Sequence, residues 1–177
     1  PRRILLTGAT GFVGAFVLDA LLGEPGVEVT CVVRAPDDDA ARGRLAAVLD
    51  GWSLEVDRAR LHVVSGDVEA PGLGLAAGQW DTLAATQDAI VHAAARVHHL
   101  LGYRALRGPN VAGMLEVLRL AAAGRSKRLC FISTLSVLHE AADGPSPPLG
   151  APGYVQTKWV GERLALAARD RGLDVVV

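Results

Sequence analysis

Short continuous apolar runs alternate with longer segments of helical apolar spacing along the whole chain of 177 residues. Continuous apolar runs are typical of strands buried on both faces, and apolar residues three and four apart indicate helices. The pattern predicts strands over 4–6, 27–33, 61–64, 89–92, 128–133 and 173–177, and helices over 12–22, 37–49, 79–85, 103–123 and 155–171. Gly108-Pro109 predicts an early break in the helix over 103–123. Because alternating strands and helices form parallel sheets with right-handed crossovers, we expect a doubly wound α/β fold with helices on both faces.

Composition narrows the class of protein further. Hydrophobic residues make up 50% of the chain, which excludes a disordered or fibrous protein, and the length predicts one domain over 1–177. A formal net charge of -1 argues against partners such as nucleic acid or an anionic membrane. Two cysteines, Cys31 and Cys130, are too few for a disulfide framework, so we expect core packing for both and a cytoplasmic location. The start at Pro1 and the final apolar run 175–177 predict a piece of a longer protein.

The turn after the first predicted strand has the sequence GATGFVG, with glycines at Gly8, Gly11 and Gly14. Glycines there permit a tight turn, close approach of the backbone to a pyrophosphate, and close packing of helix on strand. The following helix N-terminus offers free N–H groups and partial positive charge to phosphates. A purely structural turn is the alternative, but the position between a strand and a helix favours dinucleotide binding.

The second predicted strand ends at Arg34, where an NAD site usually has an acidic residue for the ribose hydroxyls. A guanidinium can pair bidentately with a 2′-phosphate, so Arg34 favours NADP over NAD. Arg44 in the next helix is a second candidate donor, and Arg42 is a less favoured one. The acidic residues 37–39 leave NAD open, with Arg34 then a solvated residue at the strand end.

Tyr154 and Lys158 are four residues apart, which places them one turn apart on the same face of the last predicted helix. A neighbouring ammonium favours the phenolate, so we expect it to lower the pKa of Tyr154 and to make the phenol a better proton donor. The chain has only two tyrosines, and its only lysines are Lys127 and Lys158, which makes a chance pairing less plausible. An exposed helix pair is the structural alternative.

Hydroxyl groups cluster at the carboxyl end of the fifth predicted strand, at Ser133, Thr134 and Ser136. Ligands of open α/β sheets bind beyond such strand ends, and a hydroxyl there can hydrogen-bond a substrate carbonyl. Each hydroxyl taken alone is also a common helix cap. The histidines have no zinc-ligand spacing, so we expect no metal site. We expect Trp52 and Trp80 to belong to the local core and Trp159 to pack the last helix.

Together these motifs resemble the extended short-chain dehydrogenase/reductase superfamily. The most similar group is the thioester reductase domains that end nonribosomal peptide and polyketide synthases and carboxylic acid reductases. The resemblance covers nearly the whole chain. The segments that carry it are LLTGATGFVGAFVLDALL, VVRA followed by Arg44-Leu45, GDV, GLGL with Trp80, HAAA, NVAG, Ser133-Thr134 and GYVQTKWVGE. The chain departs from the common pattern at Ala93, Gly102 and Met114, where Asn, Pro and Thr are frequent. We expect the C-terminal substrate-binding part of such domains to be absent from this chain.

The resemblance implies a Rossmann fold, an NADPH/NADP+ cofactor and a catalytic triad of Thr134, Tyr154 and Lys158, with Lys158 also holding the nicotinamide ribose. The implied cofactor-binding residues are Gly8, Thr10, Gly11, Phe12, Val13 and Gly14 at the pyrophosphate, Arg34 and Arg44 at the 2′-phosphate, Asp67 and Val68 beside the adenine, and Ala93, Ala94 and Ala95 at the central phosphates and ribose. The implied substrate is an acyl or peptidyl thioester on the phosphopantetheine arm of a carrier protein. Its reduction gives an aldehyde, and a second reduction would give an alcohol.

Two other functions are compatible with the motifs. A sugar-nucleotide epimerase or an alcohol or ketone reductase of the same superfamily would share the glycine turn and the Tyr154–Lys158 pair. Arg34 argues against the epimerases, which usually use NAD. A non-catalytic module that senses NADP would keep the glycine turn without needing the Tyr154–Lys158 pair.

Overall fold

A computed structural model describes residues 1–76, 78–140 and 148–177. In that part of the chain six strands form one sheet in the order β3-β2-β1-β4-β5-β6, and every pair is parallel. The strands are β1 (Arg3–Thr7), β2 (Glu28–Val33), β3 (Leu61–Ser65), β4 (Ala89–His92), β5 (Arg128–Phe131) and β6 (Val175–Val176). The predicted doubly wound α/β fold is confirmed. Its strand order reverses between β1 and β4, the point at which open α/β sheets bind ligands.

The helices lie on both faces of this sheet. They are α1 (Phe12–Gly23), α2 (Asp38–Gly51), α3 (Gln79–Thr86), α4 (Tyr103–Arg107), α5 (Gly113–Ala122), α6 (Leu135–Glu140) and α7 (Gly153–Asp170). Short 3₁₀ turns cover Arg58–Arg60 and Pro71–Gly74. A wider π turn over Gly108–Ala112 joins α4 to α5. Among the described residues, no helix has both the length and the apolar content that crossing a bilayer requires.

Two hydrophobic cores flank the sheet, because neighbouring residues of a strand point to opposite faces. Leu5 packs with the buried faces of α3, α5 and α7, whereas Leu6 packs with those of α1 and α2. Cys31 is buried in the second core, and Cys130 is half-buried. Burial raises the pKa of the Cys31 thiol to about 12, so it remains protonated and packs as a small apolar side chain.

Helix α1 is confirmed, but the face that packs on the sheet is not the face that carries its aromatic side chains. Gly14, Ala15, Leu18 and Leu22 face the sheet, while Phe12 is 63% exposed. The reason is steric: a Cβ at Gly14 would collide with the carbonyl of Gly8, so only the small-residue face of α1 fits against the turn.

The prediction that Trp52 belongs to the core is wrong. This side chain is 49% exposed and packs edge-on against Phe12, with 5.3 Å between ring centroids. Trp80, by contrast, packs against the first core, and Trp159 is buried between α6 and α7. Trp52 is the C-cap residue of α2, and its neighbours Leu49 and Leu54 contact the second core in its place.

Two further differences concern the second half of the chain. The helix predicted over 103–123 is not broken at Gly108-Pro109, because the π turn absorbs the proline and the backbone remains helical. Helix α6 has no signal in the apolar pattern and begins immediately after Thr134, within a predicted loop. Part of that predicted loop, residues 141–147, lies outside the described residues.

Candidate cofactor and active site

A cleft of about 610 Å³ opens at the carboxyl edge of the sheet, where β1, β2, β3 and β4 end. It is lined by Gly8, Thr10, Gly11, Val32, Val33, Arg34, Arg44, Gly66, Asp67, Val68, Glu69, Ala93, Ala94, Ala95, Arg96, Val97 and Pro109. Ten of the residues predicted to bind cofactor are therefore brought together in one cleft: Gly8, Thr10, Gly11, Arg34, Arg44, Asp67, Val68, Ala93, Ala94 and Ala95.

The glycine turn forms the floor of this cleft. Gly8 has a φ of +85°, and a Cβ there would lie 2.5 Å from the backbone nitrogen of Ala94 at the end of β4. The backbone N–H of Gly11 donates to the Gly8 carbonyl at 2.9 Å and closes the turn. This cradle exists only because no Cβ occupies it.

The N-terminus of α1 is open towards the cleft. Its N-cap is Gly11, whose lack of a side chain leaves the first N–H groups of the helix uncapped, and its first turn has no acidic residue. Unpaired N–H groups and the positive end of the helix dipole attract phosphate. Phe12 and Val13 lie in this first turn with their side chains turned outward, so only their backbone N–H groups can face a phosphate. Gly14 is buried against Gly8 and does not line the cleft.

The two predicted arginines lie together at the end of β2. The Arg44 guanidinium donates from Nη1 to the Arg34 carbonyl at 2.6 Å, and both residues line the cleft. Arg42, the less favoured second donor, pairs instead with Asp39 on the exposed side of α2. Of these two candidates, Arg44 is among the residues that line the cleft and Arg42 is not.

The acidic residues that kept NAD open have other partners. Asp37 caps α2 by accepting from the backbone N–H of Ala40 at 2.8 Å. Asp38 accepts from the backbone N–H of Ser65 at 2.6 Å, and Asp39 pairs with Arg42. None of these three carboxylates is among the residues that line the described cleft.

Lys158 is buried in α7, with 2% of its surface exposed. Its ammonium donates to the Ile132 carbonyl at 2.5 Å and lies 3.9 Å from the centre of the Phe131 ring. Burial lowers the pKa of this ammonium to about 8, and the nearby Glu162 carboxylate partly opposes that shift. The sequence places Lys158 on the helix, but only the fold shows that it reaches the end of β5.

Tyr154 is half-buried one turn before Lys158, and the expectation about its pKa is wrong. Burial raises the pKa of this phenol, and the Lys158 ammonium does not counteract that increase. The physical reason is the direction of the ammonium, which bonds to the Ile132 carbonyl of the neighbouring strand end. In this arrangement the two groups do not form an activated pair.

Thr134 follows the same strand end as Ile132 and directly precedes helix α6. Its Oγ1 accepts from the backbone N–H of Ser136 at 3.3 Å, so this hydroxyl also serves as a local cap. Next to it, the Ser133 hydroxyl donates to Glu162 at 2.5 Å. Glu162 is one turn after Lys158 on α7, so two contacts, from Lys158 and from Glu162, tie this helix to the segment that carries Thr134.

Sequence reasoning gave Asn110 no role, yet its side chain is buried between the loop after β4 and helix α7. Its amide accepts from the Arg96 N–H at 2.7 Å and donates to the Arg96 carbonyl at 3.1 Å. It also donates to the Thr157 hydroxyl at 2.9 Å, which in turn donates to the Tyr154 carbonyl at 2.8 Å. The sequence offered two signals for Asn110: its place in the NVAG segment that carries the resemblance, and an amide next to Pro109 within an apolar helical segment. Asn110 thereby connects the loop after β4 to the helix that carries Tyr154.

His92 ends β4 with its ring fully buried. Its Nδ1 lies 2.6 Å from the Thr7 hydroxyl, and its ring stacks on Phe131 with 5.6 Å between centroids. Burial, together with the charge of Lys158, lowers the pKa of His92 to about 3, so the ring is neutral. The described part of the chain contains no group of three or more side chains placed to hold a metal ion.

The sequence and the structure of this chain are both similar to those of known proteins. Residues 6–148 match the model of the NAD-binding family described as male sterility protein. The chain is 40% identical, over 99% of its length, to a component of the linear gramicidin synthase of Brevibacillus parabrevis. It is 38% identical, over 98% of its length, to the solved terminal R domain of the myxalamid PKS-NRPS biosynthetic pathway, with a TM-score of 0.89. A solved thiolation-reductase di-domain from an archaeal non-ribosomal peptide synthetase is 26% identical over 98% of the chain, with a TM-score of 0.79.

The chain spans only part of each of these proteins. It covers 4% of the gramicidin synthase component, 47% of the myxalamid R domain and 39% of the di-domain. The resemblance to the terminal reductase domains of peptide and polyketide synthases is confirmed, and a nicotinamide cofactor agrees with the cleft. This chain belongs to the male sterility protein family of NAD-binding domains.

Proposed function

We propose that residues 1–177 are the cofactor-binding part of an NADPH-dependent thioester reductase. In this proposal a carrier protein presents an acyl or peptidyl thioester, and reduction releases the chain as an aldehyde, with an alcohol as the product of a second reduction. The observation that carries the proposal is that the glycine cradle and the Tyr154–Lys158 helix lie at the same edge of the sheet, with Lys158 tied to the end of β5.

The fit of the cleft to a dinucleotide rests on three features of the chain. The Gly8 cradle leaves room where a Cβ would be, α1 presents an uncapped N-terminus, and Arg34 and Arg44 lie at the end of β2. When bound, the nicotinamide would supply the hydride for reduction. Because the three carboxylates of residues 37–39 are engaged elsewhere, the arginines are available to a 2′-phosphate, which supports NADPH over NADH.

The proposed catalytic roles belong to Thr134, Tyr154 and Lys158. Thr134 and Tyr154 would donate hydrogen bonds to the thioester carbonyl oxygen, where negative charge develops during reduction. Tyr154 would then give its proton to that oxygen. The resulting hemithioacetal would break its C–S bond, releasing the aldehyde and leaving the thiol on the pantetheine arm. Lys158 would leave the Ile132 carbonyl to hold the nicotinamide ribose.

The proposed partner is a carrier protein with a phosphopantetheine arm. Support comes from the solved di-domain, which joins a thiolation domain to a reductase domain, and from the peptide synthase relative. The cytoplasmic location stays a prediction from the use of cysteine.

The two tyrosines of the chain allow a matched test of this proposal in the full-length protein. Tyr154→Phe removes the proposed proton donor, and we expect kcat for an acyl-pantetheine thioester to fall by roughly 10²–10⁴-fold. Tyr103→Phe removes the phenol of the other tyrosine, at the start of α4, and we expect the rate to stay unchanged. Binding of NADPH should be unchanged in both variants.

Retention of most of the rate by Tyr154→Phe would refute the role of this phenol. If the unmodified protein binds NADP tightly but reduces no thioester or other carbonyl, the non-catalytic binding module is the better interpretation.

A further inference from the structure

The loop between β3 and α3 forms one wall of the cleft and has an unusual backbone. Gly72, Leu73 and Gly74 follow one another with φ values of +61°, +58° and +60°. Two of the three are glycines, which adopt this left-handed conformation readily, but Leu73 is not. A left-handed leucine costs free energy and persists only where the surrounding structure determines it.

The strained segment supports the residues that face the cleft. The backbone N–H of Asp67 donates to the Leu73 carbonyl at 2.7 Å. A Cβ on Gly66 would lie 2.7 Å from the same carbonyl, so the two halves of the loop are in direct backbone contact. Leu73 itself is fully buried in the first core. The positions of Asp67 and Val68 in the cleft wall therefore depend on the conformation of residues 72–74.

One side chain holds that conformation from the other side. Glu116, in the first turn of α5, accepts from the backbone N–H of Gly72 at 2.9 Å through Oε2. Its other oxygen pairs with Arg119 at 2.6 Å, and only 12% of the Glu116 side chain is exposed. The first residue of α5 also touches the wall, because a Cβ on Gly113 would lie 3.1 Å from the Val68 carbonyl.

We infer that Glu116 is a positioning residue for the adenosine end of the cofactor cleft. By fixing Gly72 it keeps Leu73 left-handed, and Leu73 in turn fixes the backbone of Asp67 and Val68. Glu116 does not line the cleft and acts only through this loop. The inference rests on the proposed function only in that the cleft binds an adenine dinucleotide.

The test measures binding of adenosine 2′,5′-bisphosphate, which carries the adenosine end and the 2′-phosphate but no nicotinamide. Calorimetry on the full-length protein should show roughly tenfold weaker binding for Glu116→Ala, equivalent to about 1.4 kcal/mol. Glu116→Gln keeps an oxygen acceptor for Gly72, and we expect affinity within about twofold of the unmodified protein. Arg119→Ala is the matched control, because it removes the ion pair but keeps the bond to Gly72.

Turnover gives a second readout that a general loss of structure would not reproduce. At saturating NADPH the kcat of Glu116→Ala should match that of the unmodified protein, while its KM for NADPH rises. If Glu116→Ala does not fold, Glu116→Asp serves instead, since it keeps the charge but is one methylene too short to reach Gly72.

Three results would overturn the inference. The first is normal nucleotide affinity in Glu116→Ala or Glu116→Asp. The second is Glu116→Gln binding as weakly as Glu116→Ala, and the third is a loss in Arg119→Ala equal to that of Glu116→Ala. Failure of the proposed function has a different signature, seen in the unmodified protein: it either binds no adenosine nucleotide or binds NADP but reduces no thioester.

Discussion

The buried ammonium of Lys158 should make the protein less stable than an apolar residue of the same length would. Its pKa falls from the ordinary 10.5 to about 8, which corresponds to a free-energy cost of about 3 kcal/mol for charging it in the folded state below pH 8. Lys158→Met also loses the bond to the Ile132 carbonyl and the cation–π contact with Phe131, which together are worth roughly 1–2 kcal/mol. Lys158→Met should therefore raise the free energy of unfolding by about 1–2 kcal/mol at pH 7.

The pH dependence of this difference identifies its cause. Between pH 8 and 10.5 the unfolded chain keeps the Lys158 proton while the folded chain loses it, so unmodified stability rises with pH. Between pH 8 and 10 the stability of the unmodified protein should gain about 2 kcal/mol on that of Lys158→Met, so the advantage of the variant should disappear or reverse by pH 10. The pKa of Lys127 is also lowered by burial, but Lys127 is present in both proteins and cancels from the difference.

Urea unfolding of both proteins at pH 7, 8, 9 and 10 measures this directly. The reasoning would be refuted by a variant that is less stable at pH 7, or by a stability difference that does not change with pH. The same substitution should abolish reduction, since the proposed ribose contact is lost while stability increases.

Three further predictions concern the arginines of the cleft, the packing of the glycine turn and the buried ring of His92. Arg34→Ala and Arg44→Ala should each raise the KM for NADPH by roughly tenfold or more and leave the KM for NADH unchanged, because only NADPH carries the 2′-phosphate. Equal increases in KM for both cofactors in steady-state kinetics would contradict this. Gly14→Ala should destabilise the chain by about 1–3 kcal/mol or more in urea unfolding, because its Cβ meets the Gly8 carbonyl. Gly43→Ala, in open space on α2, should instead stabilise it by roughly 0.5–1 kcal/mol. Similar effects at the two positions would show that the turn is not tightly packed. The pKa of His92 is lowered to about 3, so its ring signals in NMR should not titrate between pH 5 and 8. The free energy of unfolding should fall as the pH drops from 6.5 towards 3, because the unfolded chain then binds a proton at His92 that the folded chain does not. An NMR midpoint near pH 6.5 would contradict the burial of His92.

The fold was predictable because its signals are local and repeated. Each strand is a continuous apolar run, and the glycine turn marks the crossing from β1 to α1. The orientation of α1 was not predictable from apolar spacing, because the clash of a Cβ at Gly14 with Gly8 outweighs the burial of Phe12. Steric contacts between distant backbone atoms have no signature in hydrophobic periodicity.

The candidate site was predictable to the extent that it depends on residue type and strand ends. Arg34, Asp67 and Ala93 follow strands, and parallel strands bring their ends to one edge. The state of Tyr154 was not predictable, since helical spacing places Lys158 nearby but does not say that its ammonium bonds elsewhere. Asn110 was missed for a similar reason: its partners come from separate segments that only the fold brings together.

A crystal structure of the full-length protein with bound NADP+ tests the central proposal most directly. The account predicts the 2′-phosphate against Arg34 and Arg44, the pyrophosphate over the glycine turn, and the Lys158 ammonium moved from Ile132 to the nicotinamide ribose beside Tyr154. A dinucleotide bound elsewhere, or bound in this cleft with the nicotinamide turned away from Tyr154 and Lys158, would contradict it.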